Sequence, residues 1–325
     1  MIDVGTDATL MASAPGKLVL CGEYAVLAGH EAVVAAVDVR ATATRTAGPL
    51  AFDERSPLLA ACIEELRARG EEPEGRIVVD TAAFLDPAGR KLGLGSSAAA
   101  AAAFLGALLP NASVDVVHDI TQAAHRRFQG GKGSGIDVAA SCLGGIVRFL
   151  RAPGGPRARA APPIPEDLSV VVAWSGSSQD TRHFIGRVQA APHWREAVGP
   201  LGAAAALFLD ACGRQAADDV LRAVEAARRG MAELGELAGI DIVSAPHRRI
   251  AALAAQHGGA AKPSGAGGGD VAICLVPRKQ QAALEEDLRA EQLPPIPLHL
   301  AAPGLWVEVF GWRPLTNGRD QTRQK

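Results

Sequence analysis

The longest apolar run in the chain, Ala98 to Leu109, carries no polar residue in twelve positions. A helix over Ser97–Leu109 is therefore apolar on every face and belongs in a core. Two neighbouring stretches are apolar on one side only. In Ser56–Arg69, residues Leu58, Leu59, Cys62, Ile63 and Leu66 share a face, and Val114–Phe128 behaves in the same way, which predicts two amphipathic helices. Further helices are predicted over Arg195–Gln215, Asp218–Leu237 and Gln280–Glu291. Strand patterns rich in Val, Ile and Thr occur at Leu18–Cys21, His30–Thr44, Arg76–Asp80, Leu168–Trp174, Val271–Val276 and Leu305–Gly311. The stretch Pro153–Pro165, PGGPRARAAPPIP, has five prolines and few core residues. It reads as a linker and divides the chain into 1–160 and 161–325. No internal repeat is visible, and the tail from Asn317 reads as frayed. Strands and helices mix without steady βαβ alternation, so the expectation is two α+β domains.

Composition narrows the class. A chain of 325 residues with 48% hydrophobic and 21% charged residues is long enough for two cores and reads as globular. A net charge of −2 and the lack of a Lys/Arg run argue against a nucleic-acid partner. Twelve apolar residues are too few to cross a bilayer. The first residues carry Asp3 and Asp7 in place of the basic start of a signal peptide. Five cysteines, an odd number without a C-x-x-C pair, and unclustered histidines point to a reduced cytoplasmic setting without a structural metal. A monomer and a homodimer are both compatible with the sequence.

The lysines point towards a ligand. Arginine outnumbers lysine 27 to 6, yet Lys17, Lys91, Lys132 and Lys262 all lie in or beside glycine-containing loops. Lysine is a compact point charge suited to phosphate. The loop KLGLGSS, Lys91–Ser97, runs straight into the buried alanine helix. Glycines allow close backbone approach, and the first N–H groups of the helix are unpaired and partly positive, which suits an anion. A serine cap on a core helix explains the same residues equally well. The loop is neither a Walker A motif nor a dinucleotide fingerprint, since the required lysine spacing and third glycine are absent. Two more such loops follow, QGGKGSGID at Gln129–Asp137 and KPSGAGGGD at Lys262–Asp270. A plain turn needs one or two glycines; this many indicates backbone wrapped against a ligand.

At this point a resemblance becomes specific. The segments APGKLVLCGEYAVLAGH, KLGLGSSAAAAAA and KPSGAGGGDVAI resemble the three signature motifs of the GHMP kinase superfamily, in the same order, and span Pro15 to Ile273. The resemblance implies a two-domain α+β fold. Its N-terminal domain would be like ribosomal protein S5 domain 2 and its C-terminal domain ferredoxin-like. It also implies ATP-dependent phosphorylation of a small molecule with Mg²⁺. Within the superfamily, AHRRFQGGKGSGIDVAAS, Asp270 in GAGGGD, and AWSGSSQDT resemble the phosphomevalonate kinases. The implied acceptor is itself a phosphate monoester, already nucleophilic at neutral pH because its second pKa is ~6. Repulsion between polyanions then becomes the main obstacle.

The residue roles follow from that resemblance. Lys17 would sit beside the transferred phosphoryl group, and Asp137 would orient Lys17 or take a proton. Lys91, Gly93, Leu94, Gly95, Ser96, Ser97 and Ala98 would hold the ATP phosphates, with Ser97 favoured for Mg²⁺. The mevalonate kinases carry a Glu metal ligand eleven residues before the Asp, and here that position is Arg126. Glu23 and Tyr24 would line the acceptor pocket. Lys132, Ser134, Gly135, Ser175, Ser177 and Ser178 would meet the acceptor phosphate. Ser264, Gly265, Gly267, Gly268 and Asp270 would shape that side of the cleft. His125 reads as structural or solvated, and Trp174, Trp194, Trp306 and Trp312 as packing. Mevalonate kinase, another GHMP small-molecule kinase, or a non-catalytic sensor on the same fold are the alternatives. Diphosphomevalonate decarboxylase is disfavoured by the intact Lys17 motif.

Overall fold

The computed structural model describes residues 9–131, 133–152, 155–179 and 181–310. Lys132 and Trp312 therefore lie outside the described residues. Strands β1 (Thr9–Cys21), β2 (Glu31–Thr46), β3 (Arg76–Asp80), β4 (Ile146–Ala152) and β5 (Gly155–Ala160) belong to one sheet. A second sheet contains β6 (Leu168–Trp174), β7 (Ala260–Pro263) and β8 (Val271–Pro277), in the order β6-β8-β7. The last strand, β9 (Trp306–Phe310), returns to the first sheet and pairs antiparallel with β1, Ser13 opposite Trp306. The large sheet thus runs β5-β4-β2-β1-β9, with β3 on the far part of β2. Residue 160 falls between the two sheets, but the end of the chain crosses back over that division.

Helices α1 (Pro57–Ala68), α2 (Ser96–Leu108), α3 (Val114–Phe128) and α4 (Ile136–Leu143) accompany the large sheet. The apolar pattern is realised in α2, whose residues Ala98–Leu108 are all buried, against β1, β2, α3 and α4. Ser56 and Ser113 cap α1 and α3 by accepting the N–H of Leu59 and Val116, as their positions before the apolar periods require. Helices α5 (Thr181–Ala190), α6 (Trp194–Ala197), α7 (Gly199–Gly213), α8 (Ala217–Ala238), α9 (Ala245–Gln256) and α10 (Gln281–Ala290) follow. Helix α7 packs on both β2 and α8, so Phe149, Phe208 and Val224 share one continuous core. A smaller core of Val171, Ile250, Leu253, Leu284 and Leu288 is formed by the small sheet with α9 and α10.

Two sequence expectations change. The supposed linker contains β5, which pairs with β4 from Ala152 opposite Gly155 to Val147 opposite Ala160. As an edge strand it needs hydrogen bonds on one side only, tolerates Pro156, and carries the exposed Arg157 and Arg159. The apolar pattern was silent there because an edge strand need not bury a face. In addition, Trp194–Gly213 is long and apolar enough by length and composition to cross a membrane, contrary to the limit set by the twelve-residue run. Half of it is buried in the fold, with Leu201, Ala205 and Phe208 in the core.

Candidate functional site

The site begins where β1 loses register with β2, between Pro15 and Gly16. A side chain on Gly16 would meet Leu94 O at 2.6 Å, so only glycine lets β1 come this close to the 91–95 loop. The contact is closed by Lys17 N–H donating to Leu94 O at 2.8 Å. The Lys17 ammonium then donates to Gly93 O at 3.2 Å. Gly95 leaves the corridor for this side chain, since a Cβ there would lie 2.7 Å from Lys17 Cγ. Gly95 also caps α2 in a left-handed conformation, φ +83°, with no side-chain cap. The first N–H groups of α2 are left open, and Ser96 and Ser97 carry them to the wall of a cleft of about 510 Å³.

The second glycine loop lines the same cleft. Gly135, φ +85°, caps α4, and Gln122 holds its carbonyl at 2.7 Å. Asp137 stands in the first turn of α4, where one carboxylate oxygen accepts Val138 N–H at 3.0 Å. The other lies 3.7 Å from His125 Nε2, and the same nitrogen is 3.0 Å from Ser97 Oγ. His125, read from sequence as structural or solvated, is buried between two residues of the site. Arg126, at the position of the mevalonate kinase carboxylate, is exposed and lines a different depression with Arg151.

The third loop ties the small sheet to β1. A second register shift, between Val19 and Cys21, frees the Val19 backbone, and Ser264 Oγ both accepts its N–H at 2.9 Å and donates to its carbonyl at 3.1 Å. Lys262 is fully buried and ion-paired with Glu23, and it donates to Pro263 O at 2.9 Å. The expectation that Lys262 serves an anionic ligand is corrected here, because its charge is spent on Glu23. The second carboxylate oxygen of Glu23 is buried without a partner among the described residues. Tyr24, at φ +61°, donates its hydroxyl to Ala266 O at 2.5 Å.

Asp270 ends the third loop at φ +58°. Its N–H donates to Ser177 O at 2.6 Å, and its carbonyl accepts Ser175 N–H at 2.9 Å. Ser175 and Ser177 thus hold the Asp270 backbone and do not line the cleft, whereas Ser178 does. Gly93, φ +75°, touches the Asp270 side chain so closely that a Cβ would sit 2.3 Å from Asp270 Cβ.

Electrostatics follow from this crowding. Burial lowers the pKa of Lys17, while Asp137, Asp270 and Glu23 oppose the shift. Burial raises that of Asp270 against hydrogen bonding from Ser178 and the charge of Lys17. Burial also raises that of Tyr24. Beneath the third loop, burial depresses His247 to about 4; its Nδ1 meets Ser244 Oγ at 2.8 Å.

The cleft brings together Lys17, Glu23, Tyr24, Lys91, Gly93, Leu94, Gly95, Ser96, Ser97, Ser134, Asp137, Ser178, Ser264, Gly265 and Asp270. Ala98 is buried inside α2, and Gly135 faces the depression beside Arg126. Gly267 and Gly268 pack on Ile242 and Phe184, shaping the loop from behind. Sequence reasoning missed Phe84, Phe128, Arg182 and Ile185 on the wall. The last two belong to α5, whose short period gave little signal. Among the described residues no three His, Cys, Asp or Glu side chains gather as a metal-binding group. The Ser97 hydroxyl and Asp137 carboxylate are oxygen donors on one cleft. They suit a hard cation whose remaining ligands are water or a bound anion.

Comparison with known proteins agrees with this geometry. A family model described as GHMP kinases N terminal domain matches residues 58–145, and one described as GHMP kinases C terminal matches residues 211–293. The chain is similar to a phosphomevalonate kinase of Streptomyces sp. (strain CL190), 28% identical over 82% of this chain and 90% of that protein. It is also similar to a mevalonate kinase of Thermococcus gammatolerans, 26% identical over 83% and 90%. The fold resembles that of a Lin0012 protein from Listeria innocua, with a TM-score of 0.82 and 23% identity, covering 94% of this chain and 100% of that one. It also resembles a Streptococcus pneumoniae phosphomevalonate kinase in complex with phosphomevalonate and AMPPNP, with a TM-score of 0.79 and 18% identity over 89% and 99%.

Proposed function

The chain belongs to the GHMP kinase family, and from that premise we propose that it transfers the γ-phosphoryl group of ATP to (R)-5-phosphomevalonate, giving 5-diphosphomevalonate and ADP. The observation that carries the kinase chemistry is the meeting of Lys17, Asp137 and the open start of α2 on one cleft. The choice of acceptor is supported by the similarity to the Streptomyces phosphomevalonate kinase and by Asp270 at the end of GAGGGD. Mevalonate phosphorylation is the second reading, favoured by the Thermococcus relative.

The open N–H groups of α2, with Ser96 and Ser97, bind the nucleotide phosphates. Lys17, fixed by Gly93 O, lies against the transferred group and offsets the charge that spreads over its oxygens. The acceptor phosphate needs no strong base, so Asp137 orients Lys17 and the acceptor. Ser134, Ser178 and Lys132 meet the acceptor phosphate; Glu23 and Tyr24 lie on the acceptor side, and Asp270 closes it against the 93–95 loop. Ser97 and Asp137 are the residues that would hold Mg²⁺, whose charge would reduce repulsion between nucleotide and acceptor. Five free, buried cysteines support a reducing, cytoplasmic setting.

Coupled ADP release with Mg-ATP and, separately, (R)-5-phosphomevalonate, mevalonate, mevalonate 3-phosphate and sugar acceptors tests this reading. Turnover confined to phosphomevalonate is expected. Turnover with mevalonate alone would replace the acceptor and the meaning given to Asp270. Silence with every acceptor, while ATP still raised the melting temperature, would favour a sensor.

A further inference from the structure

The reading above assigns Ser97 and Asp137 to one cation as well as to their own tasks, and one side chain lies against both. His125 is 1% exposed, and its ring lies beside Phe128 with centroids 6.0 Å apart. Its Nε2 faces two oxygens, Ser97 Oγ at 3.0 Å and Asp137 Oδ2 at 3.7 Å. Asp137 Oδ1 is already occupied by Val138 N–H, so Oδ2 is the oxygen turned to the imidazole. An ionised carboxylate is an acceptor only. A lone pair on Nε2 would oppose the carboxylate, whereas an N–H there is attracted by both oxygens. A ring N–H placed on Nε2 meets both oxygens and donates to Ser97 Oγ. An oxygen that accepts from His125 must direct its own O–H elsewhere, and the open side of Ser97 is the cleft.

Resting on the kinase reading but on neither acceptor, we infer that His125 is a positioning residue. Through Nε2–H it turns the Ser97 hydroxyl towards the nucleotide phosphates and holds Ser97 in place relative to Asp137. This differs from a mere core histidine in a measurable way, because it acts through Ser97. Removing the donor leaves the hydroxyl free to rotate back, which costs alignment more than nucleotide affinity.

Two measurements test it. In ¹⁵N-histidine-labelled protein without substrates, in alkaline buffer, the signal assigned to His125 by its loss in His125→Gln should be that of the Nε2–H tautomer. The Nδ1–H tautomer would overturn the proposal. In a double-mutant cycle, His125→Leu should lower kcat about 10- to 100-fold with KM for ATP within about three-fold. The same change on a Ser97→Ala background should cost less than about two-fold, and His125→Gln, which keeps an N–H donor, should retain most of the difference. Multiplying losses, or an unchanged kcat, would overturn it. The cycle uses whichever acceptor the wild type turns over. A wrong acceptor assignment therefore shows as an idle wild type with phosphomevalonate, while the tautomer is read with no acceptor at all.

Discussion

The two ends of the cleft are polar for different reasons. At the start of α2 the polar groups are backbone N–H donors that Gly95 leaves uncapped. At the end near β7 they are side chains already bonded across the chain: Glu23 with Lys262, Ser264 with Val19, and Tyr24 with Ala266. The first arrangement is a consequence of where a helix begins, and it stays available to any anion. The second holds two charges out of water, and is tolerable only while both are present. The end assigned to the nucleotide should therefore respond to mutation in its kinetics, and the end assigned to the acceptor in its stability.

The largest effect should come from breaking the buried pair. Lys262→Met leaves Glu23 as an unpaired buried carboxylate and should cost about 3–5 kcal/mol of unfolding free energy. Adding Glu23→Gln should recover most of that loss. Urea melts of the wild type and the two variants check this, and a double variant as unstable as the single would contradict it. Lys17→Ala, beside Gly265 of the third loop but outside that ion pair, should lower kcat about 100- to 1000-fold by removing charge from the transferred group. The melting temperature should hold or rise, since burial disfavours that ammonium. A kcat within a few-fold of wild type would remove Lys17 from its role.

The stability of the acceptor end should also depend on pH. His247 falls from its ordinary 6.5 to about 4, chiefly through burial, with Lys262 and Arg248 acting in the same direction and Asp241 opposing. A lowered folded value means that the unfolded chain binds the extra proton first. The stabilising contribution is thus complete above pH 6.5 and is lost as the pH falls from 6.5 towards about 4. The loss should approach about 3 kcal/mol. Unfolding followed from pH 7 downward should show this slope in the wild type and a reduced one in His247→Gln.

Much of the nucleotide end was legible in the sequence because it is written in consecutive residues. Gly93, Gly95, Ser96 and Ser97 lie in one loop, and the alanine run announces the buried helix after it. Lys17 and Asp137 were legible through family motifs, and both line the cleft. The acceptor end was not, because its logic is pairing at long range. Nothing near Lys262 in the sequence says that its partner is Glu23. Nor does the serine-rich stretch say that Ser175 and Ser177 bond the Asp270 backbone while Ser178 faces the cleft. His125 was passed over for the same reason, since its partners are 28 and 12 positions away. Strand β5 was hidden because an edge strand does not need an apolar face.

Between the ends, Gly93 is the contact that joins the first loop to the third. Gly93→Ala adds a Cβ 2.3 Å from Asp270 Cβ, at a φ of +75°. The strain alone should cost about 1–3 kcal/mol, and displacing Asp270 should raise the KM of the acceptor as well as that of ATP. An unchanged acceptor KM would separate the two loops.

The smallest effect tests whether the ends communicate outside the cleft. The Arg90 guanidinium, paired with Asp86 just before the first loop, lies 4.1 Å from the centroid of the Trp174 ring at the end of β6. Trp174 begins the segment that holds Asp270, and its indole N–H has no partner among the described residues. The stacked cation is thus a second tie between the Lys91 loop and the small sheet, partly exposed and worth about 0.5–1 kcal/mol. Arg90→Gln should lower stability by no more than that and raise KM for ATP about two- to three-fold. The expected change is small because the Lys17 contacts to Gly93 and Leu94 keep the loop in place. A loss beyond about ten-fold would mean that the nucleotide end depends on the second half of the chain as strongly as the acceptor end does.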